Sequence, residues 1–278
     1  MGVVTRVVQA MLVLGVGAAA LLLVSRHWPA SSLEQQTRTA LEAPRHWPGS
    51  NAWADWLFIA RDELDVDGRQ AALALHVAEV ARWQQQRQTL LRQHAGKDLD
   101  TVLLPGPPSL GLGRAPQVPA ALDACVFGTP QACLAAVRGS LAAATQWRAD
   151  HAGYLDRVAG LSAHGHLASP YPRPHALLVL HHPLMARPAT HGRIAQAVAY
   201  LHGDLATALT GACHDLRTAR MLATHSDSHL ATQQGARGLE LGAQWVATLA
   251  GDWPAATPLP AACDGVAAPL PVEAVSAC

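Results

Sequence analysis

The chain carries little charge and few aromatic rings other than tryptophan. Only 14% of its 278 residues are charged, and two Phe and three Tyr stand against eight Trp. A usual globular chain is ~25% charged. Neither sign is in excess, with 20 Lys plus Arg against 20 Asp plus Glu. A neutral body has no electrostatic reason to seek nucleic acid, and no basic run marks a lipid-headgroup patch. The five cysteines include no Cys-x-x-Cys, which removes the usual zinc spacing. Walker and dinucleotide glycine patterns are also missing. Gly160-Leu161-Ser162-Ala163-His164 lacks the second glycine of a nucleophile elbow. Cys213-His214-Asp215 has the residue types of a triad, but neighbouring helical positions point ~100° apart. In the acidic run Glu63, Asp65, Asp67, aligning Gly68 to position six of a calcium loop puts Ala74 where the bidentate glutamate must stand. The sequence therefore assigns no catalytic residue and no cofactor.

What is present begins with an apolar run, Val7 to Val24, eighteen residues without a charge between Arg6 and Arg26. It is close to the ~20 residues that cross a bilayer as a helix. The residues after it offer no small-x-small cleavage site, because His27 and Trp28 crowd Ala30. This points to an uncleaved signal-anchor, with a cleaved signal as the alternative. The expected organisation is a tail at 1–6, a transmembrane anchor at 7–24, a linker at 25–50, a helical domain at 51–250 and a Pro/Ala-rich tail at 251–278. The expected location is the inner membrane, single-pass, with the body in the periplasm. The near-repeat of Arg26-His27-Trp28-Pro29 in Arg45-His46-Trp47-Pro48 is read as chance.

The body is rich in Ala and Leu with few β-branched clusters, so an all-α fold is expected. Ser50 or Asn51 can cap a helix over 52–60, with Trp53, Trp56, Leu57 and Ala60 on one apolar face. Asp67 is placed to cap a long helix from Arg69 to about His94, with Leu75, Val77 and Val80 among its apolar set. Residues 96–119 lose periodicity and carry five prolines, which marks a loop. Thr129-Pro130 starts another helix. A longer one spans roughly Leu141 to Leu161, with Trp147, Tyr154, Leu155 and Val158 apolar. His175 to Met185 reads as a short apolar helix. Arg193–His202 with Leu205–Thr224, then Ser228–Ala250, complete the helical pattern.

Between the first two of these last helices, Gly203 ends one and Asp204 caps the next, with Ala208 at the expected close contact. The stretch Ala199-Tyr200-Leu201-His202-Gly203-Asp204-Leu205-Ala206-Thr207-Ala208-Leu209 resembles the inter-helix turn of a tetratricopeptide repeat. That resemblance implies two helices packed as a hairpin. The chain as a whole resembles uncharacterised membrane-anchored helical proteins of Gram-negative bacteria, which implies no particular activity.

For an exported body the sensible cysteine pairs are Cys125 with Cys133, across the turn Gly128-Thr129-Pro130, and Cys213 with Cys263. Cys278 is left odd. Spacing alone does not fix connectivity, since four cysteines allow three patterns. Among the fifteen histidines, His225 and His229 are four apart, a two-ligand spacing on a helix. Ser226, Asp227 and Ser228 look like caps that would separate them, so no metal is assigned. His164-Gly165-His166 and His181-His182 are further pairs. The function expected on these grounds is a membrane-tethered, non-catalytic helical module for protein–protein interaction or envelope assembly. The alternative is a hydrolase or metal-binding enzyme using the His-rich segment 164–229.

Overall fold

The computed structural model describes residues 46–94, 111–171 and 187–269, with isolated positions between 31 and 35 and between 106 and 109. The anchor at Val7–Val24, the helix expected at His175–Met185, and Cys278 lie outside the described residues. Among the described residues no helix is long and apolar enough to cross a membrane. The chain divides into two units, Met1–His46 and Trp47–Cys278. In the first, the described residues hold one backbone bond, from Gln35 N to Ser31 O at 2.9 Å. The second begins at Trp47.

Every regular element among the described residues of the second unit is helical, and β-structure is limited to isolated bridges. Helix α1 is Trp53–Leu57 and α2 is Val66–Gln93. Helix α2 is capped by Asp65, whose side chain accepts from Gly68 N, while Asp67 lies in the first turn. The cap expected at Asp67 is thus two residues early. Its buried residues are Arg69, Leu73, His76 and Val80, whereas Leu75 is 69% exposed. The helix presents a partly polar face inward, because Arg69 and His76 find partners there.

Helices α3 (Asp123–Phe127) and α4 (Pro130–Gly139) follow, the latter capped by Thr129 with Pro130 in its first turn. The single helix expected over Leu141–Leu161 is two helices, α5 (Leu141–Asp150) and α6 (Ala152–Gly160), parted at His151 (φ −119°). Trp147 and Tyr154 are both buried, one in each apolar cluster, and both rings pack against His191, with centroids 5.8 and 5.3 Å apart.

Helices α7 (Arg187–Leu201), α8 (Leu205–Thr224) and α9 (His229–Ala250) finish the fold. Gly203 sits at φ +81° between α7 and α8, and Asp204 accepts from Thr207 N. Ala208 is fully buried. Ser228 caps α9. Two apolar clusters result. One gathers α1, the first half of α2, α6 and the end of α8 around Phe58, Val80 and Leu161. The other gathers α3, α4, α5, α7, α8 and the end of α9 around Trp245, Ile194 and Leu209.

Candidate functional site

Three chain segments that are distant in sequence lie side by side at residues 48–52, 164–169 and 225–227. Isolated parallel bridges join Asn51 to His166 and Leu167 to Ser226. Ala52 N donates to His166 O at 2.9 Å, Gly165 N to Ser50 O at 3.0 Å and Leu167 N to His225 O at 2.9 Å. The Asn51 side chain adds a second tie. Its Oδ1 accepts from Trp53 N and from Ala168 N, each at 3.1 Å, and its Nδ2 donates to Ala168 O at 2.7 Å. Gly165 is required by this approach, since a Cβ there would lie 2.0 Å from Pro48 O. The His166 ring stacks on Trp47 with centroids 5.9 Å apart.

On this clamp a relay of side chains is assembled. Ser50 Oγ lies 2.9 Å from His164 Nδ1. His164 Nε2 lies 3.0 Å from Asp55 Oδ2, and Asp55 Oδ1 accepts from Arg69 Nε at 2.6 Å. Arg69 Nη1 donates to Leu64 O at 2.7 Å, which fixes the guanidinium. Asp55 is held below the usual carboxylate range, chiefly by its hydrogen bond to His164 and also by Arg69, against the opposing effect of burial. An ionised Asp55 accepts the Nε2 proton, and that tautomer leaves the Nδ1 lone pair facing the Ser50 hydroxyl. The tautomer is assigned from this network of partners. Ser50 itself is exposed, while the Asp55 and His164 side chains each keep 16% of their area.

A second feature is a groove of about 410 Å³ between α5–α6 and α7–α8. Ala149, Ala152, Leu155 and Ala195 give it apolar walls, Arg148 and Asp156 are charged lining residues, and Gln196 and Asp215 also line it. Gln196 Nε2 donates to Asp215 Oδ2 at 2.7 Å. Burial pushes the Asp215 carboxyl up to about 7, against the pull of the Gln196 hydrogen bond and of Arg193. Gln196 Oε1 is buried with no partner among the described residues. Gly192 makes room for the carboxyl, because a Cβ there would meet Asp215 Oδ2 at 2.8 Å.

The residues singled out from sequence are dispersed. Cys125 bonds Cys133 at 1.99 Å and Cys213 bonds Cys263 at 2.04 Å, the pairs expected for an exported body. Because Cys213 is in a disulfide, it has no thiol to offer its neighbours His214 and Asp215. His225 ends α8 and bonds Thr224 Oγ1 at 3.0 Å, while His229 opens α9 and bonds Gln233 at 2.8 Å, so a helix boundary separates them. Among the described residues no group of three His, Cys, Asp or Glu is placed to hold a metal ion. His164 was visible as half of a histidine pair, but its partners are Ser50 and Asp55 rather than His166. Ser50, Asp55 and Arg69 gave no functional signal. The serine and histidine are 114 positions apart, and no local motif spans that distance. No protein-family model, curated protein or solved structure matches this chain.

Proposed function

We propose that the chain is a membrane-tethered helical module, anchored through Val7–Val24 with its body exported to the periplasm, that binds a segment of a partner protein in the groove between α5–α6 and α7–α8. The observation that carries the reading is the groove itself: apolar walls with the hydrogen-bonded Gln196–Asp215 pair in its lining. An apolar pocket of this size with a few convergent polar groups is the default candidate for a binding site. A partner segment with one basic side chain among apolar ones suits it, since the walls take the aliphatic stem and the exposed Asp156 in the lining meets the charge. The two cysteine pairs support an oxidising compartment. The length and lack of charge of Val7–Val24 support the tether.

The test is site-specific photo-crosslinking in whole cells. A benzophenone side chain at the exposed Ala149, within the groove, is expected to give a discrete protein adduct in the membrane fraction. The same group at Arg237, on the exposed face of α9, is the control and is expected to give none. Equal adducts from both positions sink the groove as the docking site. Recovery of the body in the cytosol with all thiols free sinks the tether and the export together.

A further inference from the structure

We propose that Ser50, His164 and Asp55 form a hydrolytic triad that cleaves carboxylic esters through an acyl-Ser50 intermediate. This goes beyond the tethered-module reading and stands without it. The residues satisfy the two geometric conditions for an activated nucleophile. The hydroxyl lies within hydrogen-bond reach of a base, and the base is oriented by a third group. Here those distances are 2.9 Å from Ser50 Oγ to His164 Nδ1 and 3.0 Å from His164 Nε2 to Asp55 Oδ2. The roles of the two ring nitrogens are set by their partners: the nitrogen facing the carboxylate carries the proton, and the other is free to accept one.

Three observations make the arrangement more than a chance contact. Asp55 is pinned from behind by Arg69, which is itself buried and bonded to Leu64 O. A surface histidine that only decorates a loop needs no such support. Next, the main chain on both sides of the serine–histidine pair is locked. Gly165 N and Ala52 N bond across the clamp, Asn51 grips Ala168 with both side-chain polar atoms, and Gly165 admits Pro48 where any Cβ would collide. Positioned groups of this rigidity are what proximity catalysis requires. Finally, the Ser50 carbonyl accepts from both Gly165 N at 3.0 Å and His166 N at 3.4 Å, so the serine's own peptide is held directly by the histidine-bearing segment.

The chemistry balances without an external reagent. Ser50 Oγ attacks the ester carbonyl carbon as His164 Nδ1 takes the hydroxyl proton, and the carbonyl π pair moves onto oxygen. Collapse of the tetrahedral adduct breaks the carbon–oxygen bond to the alcohol, which leaves with the proton from Nδ1. A water molecule then attacks acyl-Ser50 by the same route, giving the acid and free Ser50. Asp55 acts through His164, holding its tautomer and stabilising the imidazolium, so it is a positioning residue. The exposed Ser50 is open to substrate from solvent, and esters are the class proposed because an alkoxide is a better leaving group than an amide nitrogen.

The experiment treats the full-length protein with a fluorophosphonate probe and maps the adduct by mass spectrometry, alongside hydrolysis of p-nitrophenyl acetate. The expected result is one adduct at Ser50, with labelling and turnover lost in Ser50→Ala and His164→Ala. Ser50→Ala is expected to keep the wild-type melt, since its side chain is exposed, which separates chemistry from folding. Asp55→Asn is expected to lower kcat by about 100-fold or more with KM within twofold, a split that loose packing would not produce. If His164→Ala fails to fold, Ser50→Cys serves instead: its thiol is expected to react with iodoacetamide at least tenfold faster than an average exposed cysteine. An unlabelled Ser50, or one labelled only at the rate of the urea-unfolded chain, overturns the proposal. Labelling of Ser50 that survives in a folded His164→Ala protein overturns it as well.

Discussion

At the scale of single residues, Asp215 is the group whose environment most departs from its chemistry. Its folded carboxyl titrates at about 7 because burial disfavours the charge, against ~3.9 for an unfolded aspartate. Between those two values the native state holds a proton that the unfolded chain has released. Stability is therefore complete below ~4, falls as pH rises toward 7, and levels off above it. Asn mimics the neutral form and cannot ionise. Asp215→Asn is accordingly expected to match the wild type near pH 4 and to exceed it at pH 8 by ~1–3 kcal/mol. Thermal melts of both proteins at pH 4, 6 and 8 check this; a gap that does not widen with pH refutes it. Gly203 shows the complementary situation. It was legible from sequence, and its φ of +81° with open space around the Cβ position makes it a purely backbone requirement.

At the scale of elements, helices α8 and α9 pack backbone against backbone. Gly235, Gly238 and Gly242 fall on one face of α9, and a Cβ at each would come within 3 Å of α8. At Gly235 it would lie 2.3 Å from Ala223 N and 2.7 Å from Ala219 O. Small residues here let two backbones touch, and an added methyl has nowhere to go. Gly235→Ala is expected to cost ~1–3 kcal/mol, despite the better helix propensity of alanine. Gly160→Ala, at the end of α6 with open space around it, is expected to be neutral or slightly stabilising. Urea denaturation of the two variants side by side decides the matter; equal midpoints would show that the helices separate freely. The sequence marked the α9 helix and its Ser228 cap, yet the three glycines carried no message. Glycine spacing reports a close approach only once the neighbour is known. Arg157 illustrates the same point for polar groups: it reaches Ile59 O at 2.8 Å and the Asp62 carboxylate, docking α6 beside α1.

At the scale of the whole second unit, the Cys213–Cys263 bridge fixes the segment after α9 onto α8. Arg217 and Arg220 add to it, donating to the carbonyls of Ala261, Asp264, Ala268 and Pro269. The bridge closes a loop of 50 residues, and a loop of that length corresponds to roughly 4 kcal/mol in the chain-entropy model. The double change Cys213→Ser, Cys263→Ser is expected to lower stability by about that amount and to admit proteases between Trp253 and Pro269. Chemical denaturation with limited proteolysis tests both effects. A double variant as stable and as resistant as the wild type would leave the bridge without a structural role.

Spacing left the cysteine pairing open and the tertiary structure decided it; the sequence by itself determined the helical class, most helix ends and the glycine turn at 203. Each depends on local chemistry: a cap within one turn, a φ that only glycine takes freely, or a run of periodic apolar residues. It did not show the break at His151, and it misjudged the inward face of α2, because which side of a helix is covered is set by elements far along the chain. The Ser50–His164–Asp55–Arg69 relay was decided by tertiary structure alone. Its members come from a loop, a short helix, a long helix and a segment more than a hundred residues away. No one-dimensional spacing encodes their meeting, which depends on the backbone clamp that brings Ser50 against Gly165.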